Sequence, residues 1–389
     1  MNAAQFEIQL IAVAVAIACA IPGTFLVLRK MAMISDAISH SILPGIVVGF
    51  FITQDISSPL LILLASLTGV LTVVLVELIN KTGLVKEDTA IGLVFPALFS
   101  IGVILIARNA GDVHLDIDAV LVGELAFAPF DRLLINGMNL GPKSLWVIGG
   151  ILISSLTLLI LFFKELKIST FDAELSASLG FSPAIIHYSL MSVTSITTVG
   201  AFDAVGAILV VAFMIVPAAT AYLLTDNLKR MLVIATSFGV FASISGYWVA
   251  HWLDASISGA MATVMGIVFL VTYLFAPSKG LITIISKQYK QKKEFSMLSY
   301  LLHIKKHSAN NDLSQLAPDH LTLHFKWSEK RAKMVLDLAE RNNLIHIENN
   351  LVQLSEKGQT FTSEALEYIL YNKKSEFEVM KGRFLLFRA

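Results

Sequence analysis

Apolar residues run in nine blocks between residues 8 and 276, each closed by a short polar or basic break. A helix crosses a bilayer with about 20 mainly apolar residues. On that measure the pattern predicts spans over 8–28, 58–79, 90–107, 145–163, 185–199, 205–224, 231–253 and 259–276. A further span, second in order, carries Asp36 and His40 and ends near residue 51. The basic pairs Arg29/Lys30, Lys81/Lys86, Lys164/Lys167 and Lys229/Arg230 fall on one side of that path, the cytoplasmic side by the positive-inside rule. Nine spans then give an outside N-terminus and an inside C-terminus. The sixth block is short, so eight spans remain the alternative.

The segment 109–143 is mixed, with five acids before its first basic residue, Arg132. It is placed outside, part of it as a re-entrant or interfacial helix. The first block has no basic residues ahead of it and is too long for a signal-peptide core, so it reads as a retained span. Small residues cluster in Ala218-Ala219-Thr220-Ala221 and Ser243-Ile244-Ser245-Gly246, where they let helix backbones approach closely.

Composition agrees with a polytopic membrane protein: of 389 residues 56% are hydrophobic and 15% charged, where soluble domains are nearer a quarter charged. The zero net charge conceals a division. Residues 1–278 hold 11 Lys+Arg against 17 Asp+Glu, whereas 279–389 hold 18 against 12. A membrane domain over 1–277 is thus followed by a basic linker, 278–294, and a water-soluble domain, 295–389. The single cysteine, Cys19, permits neither an internal disulfide nor a cysteine metal cluster.

Candidate chemistry sits in the second span. Asp36 and His40 are one helical turn apart on one face, and a carboxylate with an imidazole suits a borderline divalent metal. Ionisable groups in a span usually face an interior or a water-filled path. Pro44-Gly45 then disturbs the helix one turn further on. The plainer readings are a solvated or capping Asp36 and a packed His40. Met31 and Met33 read as packing residues. The acidic loop with Asp112, His114, Asp116, Asp118 and Glu124 funnels cations, receives a binding protein or is merely soluble, and Asp116 and Asp118 do not share a helical face. His187 and His251, near span ends, read as interfacial histidines.

Five blocks resemble, in order, the permease subunits of manganese/zinc/iron ABC importers. They are Ser35-Asp36-Ala37-Ile38-Ser39-His40 with Leu43-Pro44-Gly45; Lys86 through Gly92; Phe171-Asp172-Ala173-Glu174; Val205 through Val210 leading to Ile215 through Ala221; and Gly246 with Asp254 and Gly259. Ser41-Ile42 and Val122-Gly123-Glu124 depart from the family pattern. The resemblance implies transport of Mn, Zn or Fe, with the metal as cargo and no permanently bound cofactor. It implies a second permease subunit (the same chain or a paralogue), two cytoplasmic ATPases and an extracellular metal-binding lipoprotein, at the bacterial plasma membrane. It makes Asp36 and His40 the metal contact, and a two-fold dimer would join two such pairs. Residues 171–181 read as a short amphipathic helix with Asp172 at its N-cap and Gly180 at its end. Their position resembles the family's coupling helix, implying an ATPase contact through Phe171, Asp172, Glu174 and Gly180. The bland alternative is a solvated loop.

In the tail, Lys287 to Lys293 suits the anionic inner membrane surface. Helices over 295–307 and 327–341, the latter with an apolar stripe of Met334, Val335 and Leu338, precede strands at 344–347 and 351–354 and a last helix ending at Tyr371. This order resembles the winged helix-turn-helix of diphtheria-toxin-repressor-like metal regulators. Lys330, Arg331 and Lys333 would then begin the recognition helix and meet phosphates. A tethered domain favours a protein contact or regulatory role over DNA. His303, His307, His320, His324 and His346 form no recognised ligand pattern.

The fold class expected is therefore an all-α polytopic membrane protein of eight or nine spans with a small α+β winged-helix cytoplasmic domain. No G-x-x-x-x-G-K-[ST] motif is present, so the chain is a transport subunit and ATP hydrolysis belongs to a partner. No span holds H-E-x-x-H, which argues against an intramembrane metalloprotease. A proton-coupled transporter would need no coupling helix. The main alternative is a membrane-anchored, metal-responsive transcription regulator.

Overall fold

The computed structural model of the chain describes residues 2–54, 58–109, 125–135, 138–309, 316–317, 325–348 and 351–371. Two compact units divide at Gly280/Leu281.

In the first unit, α1 (Ala3–Leu28) leads to a broken span, α2 (Met33–Ser41) and α3 (Leu43–Thr53), then α4 (Pro59–Lys81) and α5 (Glu87–Asn109). A bulged antiparallel pair, β1 (Arg132–Ile135) and β2 (Met138–Pro142), precedes α6 (Lys143–Leu161), α7 (Phe163–Phe171) and α8 (Ala173–Ser178). The last four are α9 (Pro183–Val205), α10 (Ala207–Leu224), α11 (Leu228–Leu253) and α12 (Ile257–Phe275). Among the described residues nine helical segments are long and apolar enough to cross a membrane, with α2 and α3 counted as one.

Three differences from the sequence reading have physical causes. The sixth span is a full 23 residues and not 15, because Ser182 caps it and Pro183 starts it. Its Thr194, Ser195, Thr197 and Thr198 lower the hydropathy but are all buried against other helices. The fifth span stops at Leu161, where Phe162 leaves helical geometry and α7 begins as a separate helix. In the outer segment, the residues from 125 on form turns and the β1–β2 pair; Asp112, His114, Asp116, Asp118 and Glu124 lie outside the described residues.

The core forms around α1, which is buried along most of its length between α10 and α11. Ile11, Val15, Leu209, Phe213, Met214 and Met261 fill it. Close approach there needs small residues. A Cβ at Gly23 would run into the Met214 carbonyl oxygen, so backbone meets backbone. Ser243 is buried and donates to the Ala12 carbonyl at 3.3 Å. Ala218 and Ala221 are likewise fully buried. On the outer side, exposed Leu63, Leu67 and Leu71 of α4 form a stripe one turn apart, suited to lipid.

The second unit has its own core. A 29-residue helix, α13 (Leu281–Ala309), runs without interruption through the segment read as a linker. Then come α14 (Glu329–Arg341), the antiparallel hairpin β3 (Ile345–Glu348) with β4 (Leu351–Leu354), and α15 (Glu356–Tyr371). Met297, Leu301 and Ile304 of α13 pack with Val335, Val352, Phe361 and Ala365. The buried seam of α14 is Ala332, Val335 and Ala339, while the larger Met334 and Leu338 of the expected stripe stay partly open. The strand pair and helix order are thus present. Asn349 and Asn350, expected at the turn, lie outside the described residues.

Replacing Gly23 with alanine should lower the thermal unfolding midpoint in detergent by the equivalent of about 1–3 kcal/mol, the usual cost of overpacking. A methyl added at Gly92 would meet nothing within 4 Å, so Gly92→Ala should be neutral or stabilising by roughly 0.5–1 kcal/mol through helix propensity. Equal effects at the two positions would remove the close-approach account.

Candidate functional site

Asp36 lies in the first turn of α2 and His40 in its last. A carboxylate near a helix N-terminus and a basic ring near its C-terminus both suit the helix dipole. Ala32, which caps α2, supplies no side-chain bond. The Asp36 Oδ1 to His40 Nε2 distance is 3.6 Å, with the side chains 37% and 34% exposed in the single chain. The Phe95 ring of α5 stands 5.8 Å from the imidazole, centroid to centroid.

The opposite side of α2 is closed. Ser35, Ser39 and Ser41 are buried. Their hydroxyls donate to the carbonyls of Ala32, Ser35 and Ile38. Ser41 Oγ also meets Thr72 Oγ1 of α4 at 2.6 Å. Apart from exposed Met33 in its first turn, what α2 leaves open is the carboxylate–imidazole pair. One turn on, Pro44 has no N–H to offer the His40 carbonyl, and α2 ends there. At Gly45 a Cβ would fall 2.5 Å from the Leu64 carbonyl oxygen, so α3 lies directly on α4. Among the described residues no three or more His, Cys, Asp or Glu side chains come together as a metal-binding group. One chain therefore offers two ligands.

A second polar cluster occupies the end of the bundle where the basic breaks lie. Arg29, just past α1, donates from Nε to Thr170 Oγ1 (3.2 Å), from Nη2 to Ser169 Oγ (3.3 Å) and from Nη1 to His187 Nδ1 (3.3 Å). The other ring nitrogen of His187, Nε2, meets Glu77 Oε1 of α4. Glu77 Oε2 accepts from Tyr188 Oη at 2.7 Å and from Lys81 Nζ at 3.3 Å. Burial draws the Arg29 pKa down from its ordinary value, though a guanidinium remains a cation at any physiological pH. His187, read from sequence as an interfacial residue, is thus the centre of a partly buried network. His251 does lie at a span end, stacked on Tyr247.

Phe171 ends α7, and Asp172 caps α8 with its side chain accepting from the Leu175 amide at 2.8 Å. The short helix covers 173–178 and not the whole of 171–181. Gly180 adopts φ +88°, the left-handed turn glycine takes freely after a helix. Phe171, Leu175 and Leu179 are exposed at four-residue intervals, with Glu174 exposed beside them.

In the second unit, Lys330 and Lys333 line a shallow groove with Lys293, Asp337 and Arg341. Arg331 instead turns inward: its guanidinium stacks over Trp327 at 4.8 Å and donates to Ser296 Oγ at 2.7 Å. The His303 and His307 rings lie 4.3 Å apart on α13. His320 and His324 fall outside the described residues.

Comparison with known proteins places this geometry in context. The model of the ABC 3 transport family matches residues 4–276. The zinc transport system membrane protein TroD of Treponema pallidum is 47% identical over 362 residues, covering 93% of this chain and 98% of that protein. A match of that length runs well into the second unit. The manganese transport system membrane protein MntD of Bacillus subtilis is 45% identical over 281 residues, 72% of this chain and 95% of its own. Among solved structures, PsaBC from Streptococcus pneumoniae in complex with Fab superposes with a TM-score of 0.60 at 28% identity, covering 72% of this chain and 94% of that one.

The Asp172 cap makes a local prediction. Asp172→Ala should cost α8 about 1 kcal/mol, seen as roughly fivefold faster hydrogen exchange at the Leu175 amide. Unchanged exchange there would mean the cap does not hold the helix.

Proposed function

The chain belongs to the ABC 3 transport family, and we propose that it is the membrane-spanning permease subunit of an importer for a divalent transition metal: Mn, Zn or Fe. The observation that carries the cargo is the half-open Asp36–His40 pair on a broken span. An oxygen and an imidazole nitrogen are ligands of intermediate softness that suit all three ions. ATP hydrolysis is not this chain's chemistry; a partner subunit supplies it. The relatives are transport-system membrane proteins, which favours this reading over a membrane-anchored transcription regulator.

Two ligands from one chain leave a transition metal under-coordinated. We infer that a second permease subunit, the same chain or a paralogue, brings an equivalent pair across a two-fold axis. Partial exposure of both side chains supports this, because a bare carboxylate on a span is costly unless protein or water covers it. The α7–α8 segment would seat in the ATPase through Phe171, Asp172, Glu174 and Gly180; the exposed Phe171, Leu175 and Leu179 supply the apolar contact. An extracellular metal-binding lipoprotein would deliver the ion on the opposite face, in the bacterial plasma membrane. The second unit is read as a cytoplasmic winged-helix-like domain, on its helix order and single hairpin. With Arg331 held internally, Lys330 and Lys333 remain candidates for phosphate contact beside Lys293 and Arg341, and an anionic lipid or protein surface suits them better than base-specific contacts.

The test is ATP-dependent uptake of radiolabelled Mn, Zn and Fe into vesicles holding the permease, its ATPase and its binding protein. Asp36→Ala and His40→Ala, at equal folded abundance, should each reduce uptake about tenfold or more, since even outer-shell changes cost 10–100-fold in metal affinity. Full uptake in both variants would remove the site and leave the transporter standing.

A further inference from the structure

Arg29, His187 and Glu77 join parts of the chain that transport must move together. On one side, the guanidinium holds Ser169 and Thr170, the last turn of α7, directly before the Asp172 cap of α8. On the other, Arg29 is fixed to the start of α2. Its amide bonds Phe25, the amides of Lys30 and Met31 bond Val27 and Leu26, and Lys30 takes the left-handed conformation, φ 62°. The Ile34 amide then bonds Met31 and the Ser35 amide bonds Ala32, so no slack separates Arg29 from the helix of Asp36 and His40.

The chemistry of the central ring gives the chain a direction. Arginine only donates, so His187 Nδ1 must accept, while Nε2 lies within ion-pair distance of the Glu77 carboxylate. The histidine therefore bridges a fixed cation to a carboxylate, and that carboxylate is held in turn by Tyr188 and Lys81. A planar guanidinium with three acceptors in different directions resists rotation, which a flexible ammonium would not.

We propose that Arg29, held in its orientation by His187 and Glu77, is the link that makes the cytoplasmic α7–α8 segment and the metal-bearing α2 segment move as one body. These are positioning residues: none touches the metal pair. The inference rests on the proposed roles of α8 and α2. It adds that nucleotide-driven movement reaches the pathway through this network and not through the lipid-facing helices.

Two readouts test it in the full transporter. The first is metal moved per ATP hydrolysed in vesicles containing permease, ATPase and binding protein. His187→Phe keeps a ring but cannot accept from Arg29 or place a polar nitrogen beside Glu77; it should hydrolyse ATP yet lower the ratio about fivefold or more, the lower end of typical site-to-site coupling. His187→Gln retains an acceptor and a donor and should recover most of the loss. An unchanged ratio in His187→Phe, or an equal loss in His187→Gln, would overturn the link. Should His187→Phe not accumulate folded, Arg29→Lys gives the same measurement, because one ammonium cannot serve all three acceptors in fixed directions; an unchanged ratio there overturns the link equally.

The second readout needs no cargo. Spin labels at exposed Lys167 of α7 and Met33 of α2 should keep one separation with and without ATP in the otherwise unchanged permease. In His187→Phe that separation should become ATP-dependent. Equal behaviour in the two proteins would overturn the link. A permease that moves none of the three metals while the labels behave as expected would count against the proposed cargo and leave the link intact.

Discussion

Within a bilayer no water satisfies a stray polar group, so each must find its partner inside the protein. That constraint organises the first unit. Buried hydroxyls on the spans bond back to carbonyls one turn earlier, as Thr24, Thr194 and Thr220 do. Ser195 crosses to the Ser66 carbonyl and Ser243 to that of Ala12, tying helices that are far apart in sequence. Two polar features bear on transport: the partly exposed pair on α2, and the network reaching from Arg29 to Glu77. The first is about one-third exposed at both side chains, whereas Glu77 and His187 of the second are 19% and 15% exposed. Their difference in closure separates a place where an ion can enter from a joint that holds helices together.

The same constraint explains what could be read from sequence. Span positions were legible because lipid demands long apolar runs, and the basic breaks fixed their direction. The sixth span was foreshortened because Thr194, Ser195, Thr197 and Thr198 look unsuited to lipid; they never meet it, being buried against other helices. Asp36 and His40 were legible as a pair because four residues make one turn, and the structure brings their side chains together. Asp172 was legible as a cap for the same local reason.

The His187 network could not be read that way. Its histidine meets an arginine 158 residues earlier, and the neighbouring Tyr188 meets a carboxylate 111 residues away. Nothing local marks such partners. A usable signal existed only in the topology: Arg29, Lys81, Ser169 and His187 all fall at breaks assigned to one side of the membrane, so they share one end of the bundle. In the tail, Arg331 looked like a surface cation beside Lys330 and Lys333, because stacking on Trp327 depends on how the chain folds back.

The break at Ile42 bears on how a span can move. Its outer half, α3, is seated on α4 through Gly45, where no side chain keeps the backbones apart. Its inner half, α2, is nine residues, about 14 Å at the usual helical rise. That inner half is itself held against α4 by the Ser41–Thr72 hydroxyl contact and by buried Ile34 and Ile38. Both halves of the broken span therefore share one seat, and the carboxylate and imidazole are presented from a helix locked in its facing.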